Sequence, residues 1–164
     1  MKKTGILTLT ILLIMVLPVM AFGMTGPAVS ENHGEISGVF ISNDGGIQIG
    51  GKYGINNDLG LLLEVGQNDY SKLAIMYQLN PNVTIDGGML CSQPFIGVMG
   101  ATALNKQLQG MGEIDLSYVN KEFVVNYQAG VEYAVKKDLD IRGGILGSTV
   151  GNSFAVGMGV GYHF

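Results

Sequence analysis

The chain has 164 residues, of which 26 are glycine and only 13% are charged, and its mean hydropathy is +0.33. This length suits one domain with a core, but such a hydropathy is unusual for a soluble domain. The single cysteine excludes an internal disulfide, and the excess of acidic over basic residues excludes a nucleic-acid-binding surface.

Residues 1–23 have the order of a secretory signal peptide. Lys2 and Lys3 precede a largely apolar run from Ile6 to Leu17, and the small residues Ala21 and Gly23 follow. The run is shorter than the roughly 20 residues that a spanning helix needs. We therefore expect export and cleavage after Gly23 or Ala21, and not a transmembrane anchor.

The next segment, residues 24–34, has no periodicity and is expected to be a flexible lead-in to a barrel that spans residues 35–164. From Met24 onward, seven basic residues stand against thirteen acidic ones, a net charge of −6. The exported chain is therefore acidic, and we expect no nucleic acid among its partners.

From residue 35 onward, apolar residues alternate with polar or small ones at a period of two, which is typical of β-strands. In the run 125–135, the odd positions hold valine, tyrosine and alanine, and the even positions are mostly polar or glycine. The runs 47–55, 59–66 and 154–164 alternate in the same way. We find no helical period after the signal peptide, so the sequence predicts an all-β domain.

The two faces of these strands differ in bulk. One face is uniformly large and apolar, whereas the other is rich in glycine with single charges. A transmembrane barrel turns its apolar face to lipid and lines its lumen with polar residues. Glycine and single charges suit a narrow interior, so the pattern favours such a barrel. The alternative is a soluble periplasmic barrel that buries the apolar face around an apolar ligand.

Four tyrosines mark an internal repeat. Tyr53, Tyr77 and Tyr133 each precede turn-prone residues and a new strand, and Tyr162 lies near the end of the chain. Their places near strand ends predict an aromatic girdle at the membrane interface. The interval from Tyr77 to Tyr133 equals two repeats, which predicts a further turn near residue 105.

Turns are predicted at nine places. Those on one side lie near residues 57, 81, 107 and 137, and those on the other lie at 43–46, 68–71, 91–94, 119–122 and 150–153. Nine turns separate ten antiparallel strands in an up-and-down barrel with short turns on both sides. An even number leaves both chain ends on one side. The alternation is weak in the first and sixth strands, so eight strands is the alternative.

The final strand carries the most specific pattern. Apolar or aromatic residues occupy every second position to the end, namely Val156, Met158, Val160, Tyr162 and Phe164. In this respect the chain resembles the small bacterial outer-membrane β-barrels, the broad group that includes the OmpA membrane domain. That resemblance covers about residues 35–164. It implies an outer-membrane location, and it identifies these five residues as an assembly signal.

The resemblance also implies partners. They are outer-membrane lipid, the machinery that assembles barrels in that membrane, and periplasmic chaperones. It does not imply an activity, because one architecture can serve many functions.

Nine charged residues are predicted to face the lumen. They are Lys52, Glu64, Lys72, Asp86, Glu113, Asp115, Glu132, Asp140 and Arg142. Charges in a narrow lumen should pair, which favours a filled barrel with a structural role. The alternative is a narrow, weakly cation-preferring channel. Gly157, Gly159 and Gly161 predict a thin water-filled seam beside the last strand.

Catalysis is not expected from this sequence. His33 lies in the lead-in and His163 lies next to the end of the chain, where we expect it to cap the lumen. Neither histidine has a nearby pattern of serine and aspartate, and no set of cysteine and histidine has the spacing of a metal site. We therefore expect no enzymatic activity, no metal and no cofactor.

Overall fold

The computed structural model describes residues 26–43, 45–119, 121–149 and 153–164. The predicted signal peptide lies outside these ranges. The described residues form ten strands: β1 (Gly34–Ile41), β2 (Gly46–Gly54), β3 (Leu59–Gly66), β4 (Ser71–Asn80), β5 (Val83–Leu90), β6 (Gln93–Ala103), β7 (Leu108–Val119), β8 (Glu122–Lys136), β9 (Leu139–Ser148) and β10 (Ser153–His163). Among these residues, no helix is long and apolar enough to cross a membrane.

Each strand pairs antiparallel with its neighbour in sequence, and β1 pairs with β10 to close the barrel. Where the barrel closes, Glu35 of β1 pairs with His163 of β10 at one end of the seam, and Ile41 pairs with Gly157 at the other. The predicted ten-stranded, up-and-down barrel is therefore confirmed, and the alternative of eight strands is wrong. The weakly alternating first and sixth strands are present as β1 and β6.

Short polar turns connect the strands, and asparagine side chains organise several of them. The Oδ1 atom of Asn56 accepts hydrogen bonds from the backbone N–H of Asp58 and Leu59 at 2.9 and 2.8 Å. Asn105 accepts the equivalent pair from Gln107 and Leu108 at 2.8 and 2.9 Å. Side-chain bonds of this kind stabilise turns, and they explain why the repeat in sequence becomes a repeat in structure.

The β5–β6 turn has only two residues between its paired strand ends. Leu90 pairs with Gln93, and the intervening Cys91 and Ser92 have φ angles of 47° and 65°. Two consecutive positive φ angles define a type I′ hairpin turn, which matches the twist of the flanking strands. Cysteine and serine adopt this conformation less readily than asparagine and glycine.

The barrel turns its bulky apolar face outward. Side chains such as Leu63, Ile75, Ile96 and Val160 are 52–60% exposed, whereas Glu64 and Arg142 are nearly fully buried. This distribution fits a lipid-facing surface around a polar lumen, so the fold is that of a transmembrane β-barrel. A soluble carrier barrel would need the opposite arrangement.

Val156 departs from the alternation of the last strand. It is only 8% exposed, whereas Met158 is 43% exposed and Phe164 56% exposed. Ser42 exchanges two hydrogen bonds with the backbone of Val156, at 2.7 and 3.0 Å, so the β1–β2 turn continues the seam beside this residue. Val156 is therefore not part of the exposed apolar face.

Candidate functional site

The lumen is the candidate functional site, and ion pairs dominate it. The structure places all nine predicted lumen residues on the inner face and gathers them into two clusters. The Lys72 cluster consists of Glu64, Lys72, Asp86, Glu113 and Asp115. The Arg142 cluster consists of Glu35, Lys52, Glu132, Asp140, Arg142 and His163.

One ammonium group serves several carboxylates in the Lys72 cluster. Lys72 Nζ forms an ion pair with Glu113, and it lies 2.9 Å from Asp115 Oδ2 and 3.1 Å from Asp86 Oδ2. It also lies 4.6 Å from the centre of the Phe95 ring, within range of a cation–π interaction. Its hydrogen bonds go to Glu113 and Asp115, whereas the contact with Asp86 is an ion pair.

Neighbouring polar groups complete part of the cluster. Gln128 donates a hydrogen bond to Glu113, and Tyr70 Oη donates to Glu64 Oε2 at 2.8 Å. Burial, followed by the nearby Glu64 and Glu113, raises the pKa of the Tyr70 phenol well above its usual value. The phenol therefore keeps its proton and acts as a donor to Glu64.

The Lys72 cluster nevertheless lacks donors. Among the described residues, neither oxygen of Asp86 has a hydrogen-bond partner, and Asp115 Oδ1 has none either. Gly97 lies directly beneath Asp86 and Asp115, so that a Cβ atom there would collide with both carboxylates. The wall of the barrel is thus shaped to bring these two acids together.

The Arg142 cluster is better matched in donors and acceptors. Arg142 donates two hydrogen bonds to Asp140, at 2.5 and 2.8 Å, and another to Glu35. Lys52 Nζ lies 3.2 Å from Glu35 Oε2, and Glu132 Oε2 lies 3.6 Å from Arg142 Nη2. Glu35 therefore links both bases.

Sequence reasoning missed Glu35 because the alternation of β1 is weak. The residue is 2% exposed and lies on the same inner face as Lys52, with which it is in register. The sequence signal that could have identified Glu35 is the alternation of β1, in which Ser37 and Val39 follow it on the inner face.

His163 also belongs to the Arg142 cluster. Its Nε2 atom lies 2.6 Å from Asp140 Oδ2, so the histidine expected to cap the lumen joins this network.

The predicted water-filled seam beside β10 is not where the structure has space. The guanidinium of Arg142 and the carboxylate of Asp140 lie directly over Gly161, and Val39 lies against Gly159. Because Gly159 and Gly161 have no side chains, these groups from neighbouring strands can lie against β10. Beside Gly161 the Arg142–Asp140 ion pair, and beside Gly159 the Val39 side chain, therefore occupy space that we expected water to fill.

Part of the lumen is apolar, which the sequence analysis did not predict. Leu62, Ala74, Met76 and Met99 are at most 2% exposed and form one cluster with Val29. They point inward from β3, β4 and β6. Val29 belongs to the segment that we expected to be a flexible lead-in.

Residues 26–33 enter the barrel from the end that holds the chain termini. The N–H of Asn32 donates to the carbonyl of Gly54 at 3.1 Å, and the N–H of Gly54 donates to the carbonyl of His33 at 2.9 Å. Beyond this anchor the chain turns into the lumen, where Pro27 and Val29 are buried. The expectation of a flexible segment did not anticipate this position.

Hydrogen bonds from three strands hold this segment, which we call the lumen segment (residues 26–33). Lys52 Nζ donates to the Gly26 carbonyl at 2.6 Å, and Thr84 Oγ1 donates to the Pro27 carbonyl at 2.5 Å. The Val29 N–H donates to the Gln78 side chain at 2.5 Å. The segment is therefore bound to β2, β4 and β5, and it crosses the lumen.

Two glycines on the inner wall make room for the lumen segment. A Cβ atom at Gly60 would lie 3.2 Å from Val29, and one at Gly54 would collide with the backbone of Ser30. In both places the chain approaches the wall more closely than a side chain would permit. The inner glycines of β2 and β3 thus have a specific packing role.

The opposite end of the lumen contains a cavity of about 610 Å³. We call it the vestibule. Residues from the turns after β1, β3 and β5 line its mouth, among them Ser42, Asn68 and Cys91. Glu113 and Asp115 lie at its inner end, where it meets the Lys72 cluster. The lumen thus holds a cavity at one end and the lumen segment at the other.

Within the part of the chain that the structure describes, two groups of side chains are close enough together to hold a metal ion. The first is Asp86, Glu113 and Asp115, and the second is Glu132, Asp140 and His163. In the first group Lys72 already contacts all three carboxylates. In the second, Arg142 contacts both carboxylates. Both groups are therefore explained as ion-pair networks.

The residues predicted for the girdle and the assembly signal lie on the outer face, apart from the buried Val156. Tyr53, Tyr77, Tyr133 and Tyr162 are 44–53% exposed and lie close to the turns at the end that holds the termini. Tyr53 Oη donates to Asn32 Oδ1 at 3.2 Å, which connects this ring to the lumen segment. Their placement suits an interface, and their roles remain predictions.

Comparison with known proteins identifies no relative by sequence: no family model and no curated protein matches the chain. The N-terminal barrel domain of Pseudomonas aeruginosa OprF is 16% identical in sequence. The match covers 82% of this chain and 98% of the OprF domain, with a TM-score of 0.46. Yersinia pestis Ail is 12% identical, with 82% and 100% covered and a TM-score of 0.47. Acinetobacter baumannii Omp33 is 7% identical, with 85% and 100% covered and a TM-score of 0.44. In architecture the chain resembles the small bacterial outer-membrane β-barrel proteins.

Proposed function

We propose that this protein is an integral outer-membrane barrel with a mainly structural role and a closed lumen. The observation that carries the proposal is the lumen segment, which crosses the interior at the end that holds the termini. Pro27 and Val29 are buried there, and the segment forms hydrogen bonds with side chains of three strands. A passage for ions would have to displace it.

The charge clusters support the same proposal. Lys72 and Arg142 are 1% and 2% exposed, and each contacts three carboxylates. Separating either base from its partners would leave buried charges unpaired, which costs about 3–5 kcal/mol. The Lys72 network therefore links β4 to β7, and the Arg142 network links β9 to β1, through side chains inside the lumen.

The outer face supports the membrane location. It is apolar on all ten described strands, and tyrosines lie near the turns at one end. An even number of strands places both termini on one side, which is the periplasmic side in barrels of this kind. We infer that the vestibule opens on the opposite side, toward the cell exterior.

Conductance measurement tests the closed lumen. The protein beginning at Met24 is refolded and added to a planar lipid bilayer. We expect no steady openings. A variant in which residues 24–32 are replaced by a glycine–serine segment of equal length should show small openings, because the buried Pro27 and Val29 are lost. Insertion of both proteins is verified by heat-modifiable migration on a gel.

The alternative of a narrow cation channel has one observation in its favour, which is the excess of acids in the lumen. The two clusters contain seven carboxylates against Lys52, Lys72 and Arg142. Steady, cation-preferring openings of the unchanged protein would establish this alternative and overturn the closed lumen.

A further inference from the structure

We propose that the vestibule binds a small organic ammonium ion, with the cationic nitrogen at the carboxylates of its inner end and an apolar body against its walls. This inference concerns the end of the barrel away from the lumen segment. It does not depend on whether the lumen conducts.

The vestibule has the size of a ligand site. Its volume of about 610 Å³ lies within the range of roughly 300–1,000 Å³ that is usual for small-molecule sites. Its inner end is built from rigid strands, since Glu113 and Asp115 lie on β7 and are 4% and 6% exposed. Such a site combines enclosure with a fixed set of polar groups, as ligand sites do.

The charge of the vestibule selects for a cation. Among its described lining residues, the charged side chains are Glu113 and Asp115. The ammonium of Lys72 pairs with both acids but does not line the cavity. A ligand in the cavity would therefore contact the carboxylates and not the ammonium. The whole cluster has four carboxylates for this one base, and an anion would therefore be repelled.

The Lys72 cluster also lacks hydrogen-bond donors, which an ammonium ligand would supply. Within the described residues, both oxygens of Asp86 and Oδ1 of Asp115 have no hydrogen-bond partner, although Asp86 is 98% and Asp115 94% buried. If a ligand N–H donated a hydrogen bond to Glu113 or Asp115, a proton of the Lys72 ammonium could turn to Asp86, whose Oδ2 atom is only 3.1 Å from Lys72 Nζ. Bonds between ions of opposite charge in such surroundings are among the strongest in proteins.

The walls of the vestibule favour an organic cation over a hydrated metal ion. They are largely apolar, with Ile41, Leu90, Val119, Val124, Leu146 and Ala155 among the lining side chains. Amide side chains, including Gln48 and Gln93, add neutral hydrogen-bonding groups. An apolar body would remove this surface from water, whereas a hydrated ion would leave it wet.

Cys91 provides a reporter that the native protein already carries. It lines the mouth of the vestibule and is exposed. We would reconstitute the protein in lipid nanodiscs and follow the reaction of Cys91 with a maleimide in the presence of benzylammonium, benzyl alcohol or benzoate. These probes share one ring and differ in charge. Benzylammonium should slow the reaction several-fold, and the other two should not.

Calorimetry with the same nanodiscs measures the affinity, and empty nanodiscs correct for partition into lipid. Asp115→Asn keeps the shape of the side chain and removes its charge, so it should weaken benzylammonium binding about tenfold. Asp138→Asn, in the exposed turn at the opposite end, is the matched control and should leave binding unchanged.

Three outcomes would overturn the proposal. They are equal protection by all three probes, no protection by benzylammonium at millimolar concentration, and displacement of benzylammonium by Mg²⁺ at equal concentration, which would indicate an inorganic cation site. Since the protection experiment uses the unchanged protein, a failure of Asp115→Asn to fold would not remove the test.

Discussion

Phe164 and Gly34 exchange two backbone hydrogen bonds across the seam of the barrel, at 2.8 and 3.0 Å. The Phe164 ring lies so close to Gly34 that a Cβ atom there would collide with it. The last residue of the chain thus pairs with the first residue of β1. Its backbone closes the sheet, and its ring remains 56% exposed on the outer face.

Deletion of Phe164, or its substitution by aspartate, should lower the amount of assembled barrel. Deletion removes both seam hydrogen bonds, and aspartate places a charge on the outer face. Heat-modifiable protein in outer-membrane fractions is the measurement, and Phe164→Tyr, which keeps the ring, is the control. Undiminished assembly of the deletion variant would contradict the expectation.

Arginine on the outer face should be costly near the middle of the membrane. Leu61, Val131 and Val160 are 41–52% exposed on the outer face, and arginine at each should destabilise the barrel, by up to about 2–4 kcal/mol at the midplane and by less toward the interface. Urea unfolding in lipid vesicles measures the loss. Gly60 and Gly130 face inward, so arginine there acts through crowding.

Cysteine labelling checks this assignment of faces. In a Cys91→Ser background, cysteine at position 61 or 131 should react with a lipid-soluble reagent and cysteine at 60 or 130 should not. Equal labelling at neighbouring positions would show that the faces are wrongly assigned.

Gly97→Ala should destabilise the barrel by about 1–3 kcal/mol, because the added methyl collides with the carboxylates of Asp86 and Asp115. Gly100→Ala on the same strand is the matched control, since the nearest atom to its Cβ would be the Asn82 carbonyl oxygen at 3.8 Å. Urea unfolding in lipid vesicles compares the two variants. A loss of equal size in both would show that the acids do not constrain position 97.

Replacement of Cys91 and Ser92 by asparagine and glycine should raise the free energy of unfolding by about 1–2 kcal/mol. Both positions have positive φ, and the new residues adopt that conformation at lower cost. The same replacement at Lys137 and Asp138 is the control, because neither residue is among those with positive φ. An equal gain at both turns would mean that the backbone conformation is not the cause.

Export should remove the N-terminal segment. Sequencing of the protein from purified outer membranes should give a first residue between Phe22 and Thr25, since small residues close the apolar run at this point. A chain that begins at Met1 in that fraction would contradict the prediction.

The strands and their faces were predictable because the relevant pattern is local. An alternation of two residues specifies both the strand and the side on which each residue lies, as at Leu61 and Val131. Turns were predictable for the same reason, since the side chains of Asn56 and Asn105 bond to backbone groups within three residues. Lys72 and Arg142 could be placed on the inner face by the same alternation.

Other features depend on contacts that no local pattern contains. Lys72 meets Glu113 across 41 residues of sequence, and Arg142 meets Glu35 across 107. The lumen segment has no periodicity. Its position follows from the space over Gly54 and Gly60 and from hydrogen bonds with Lys52, Gln78 and Thr84 on three strands.

From its sequence the chain could be predicted to form an antiparallel barrel of ten strands, with eight as the alternative, that has an apolar outer face and a charged interior, because strand, turn and face are encoded within a few residues. Three features become visible only in the folded chain: which charges meet, that Val156 is covered, and that Pro27 and Val29 lie inside the barrel. These features depend on the closure and register of the sheet, which bring residues distant in sequence to the same depth in the lumen. Because the lumen is narrow, charges that meet there must pair.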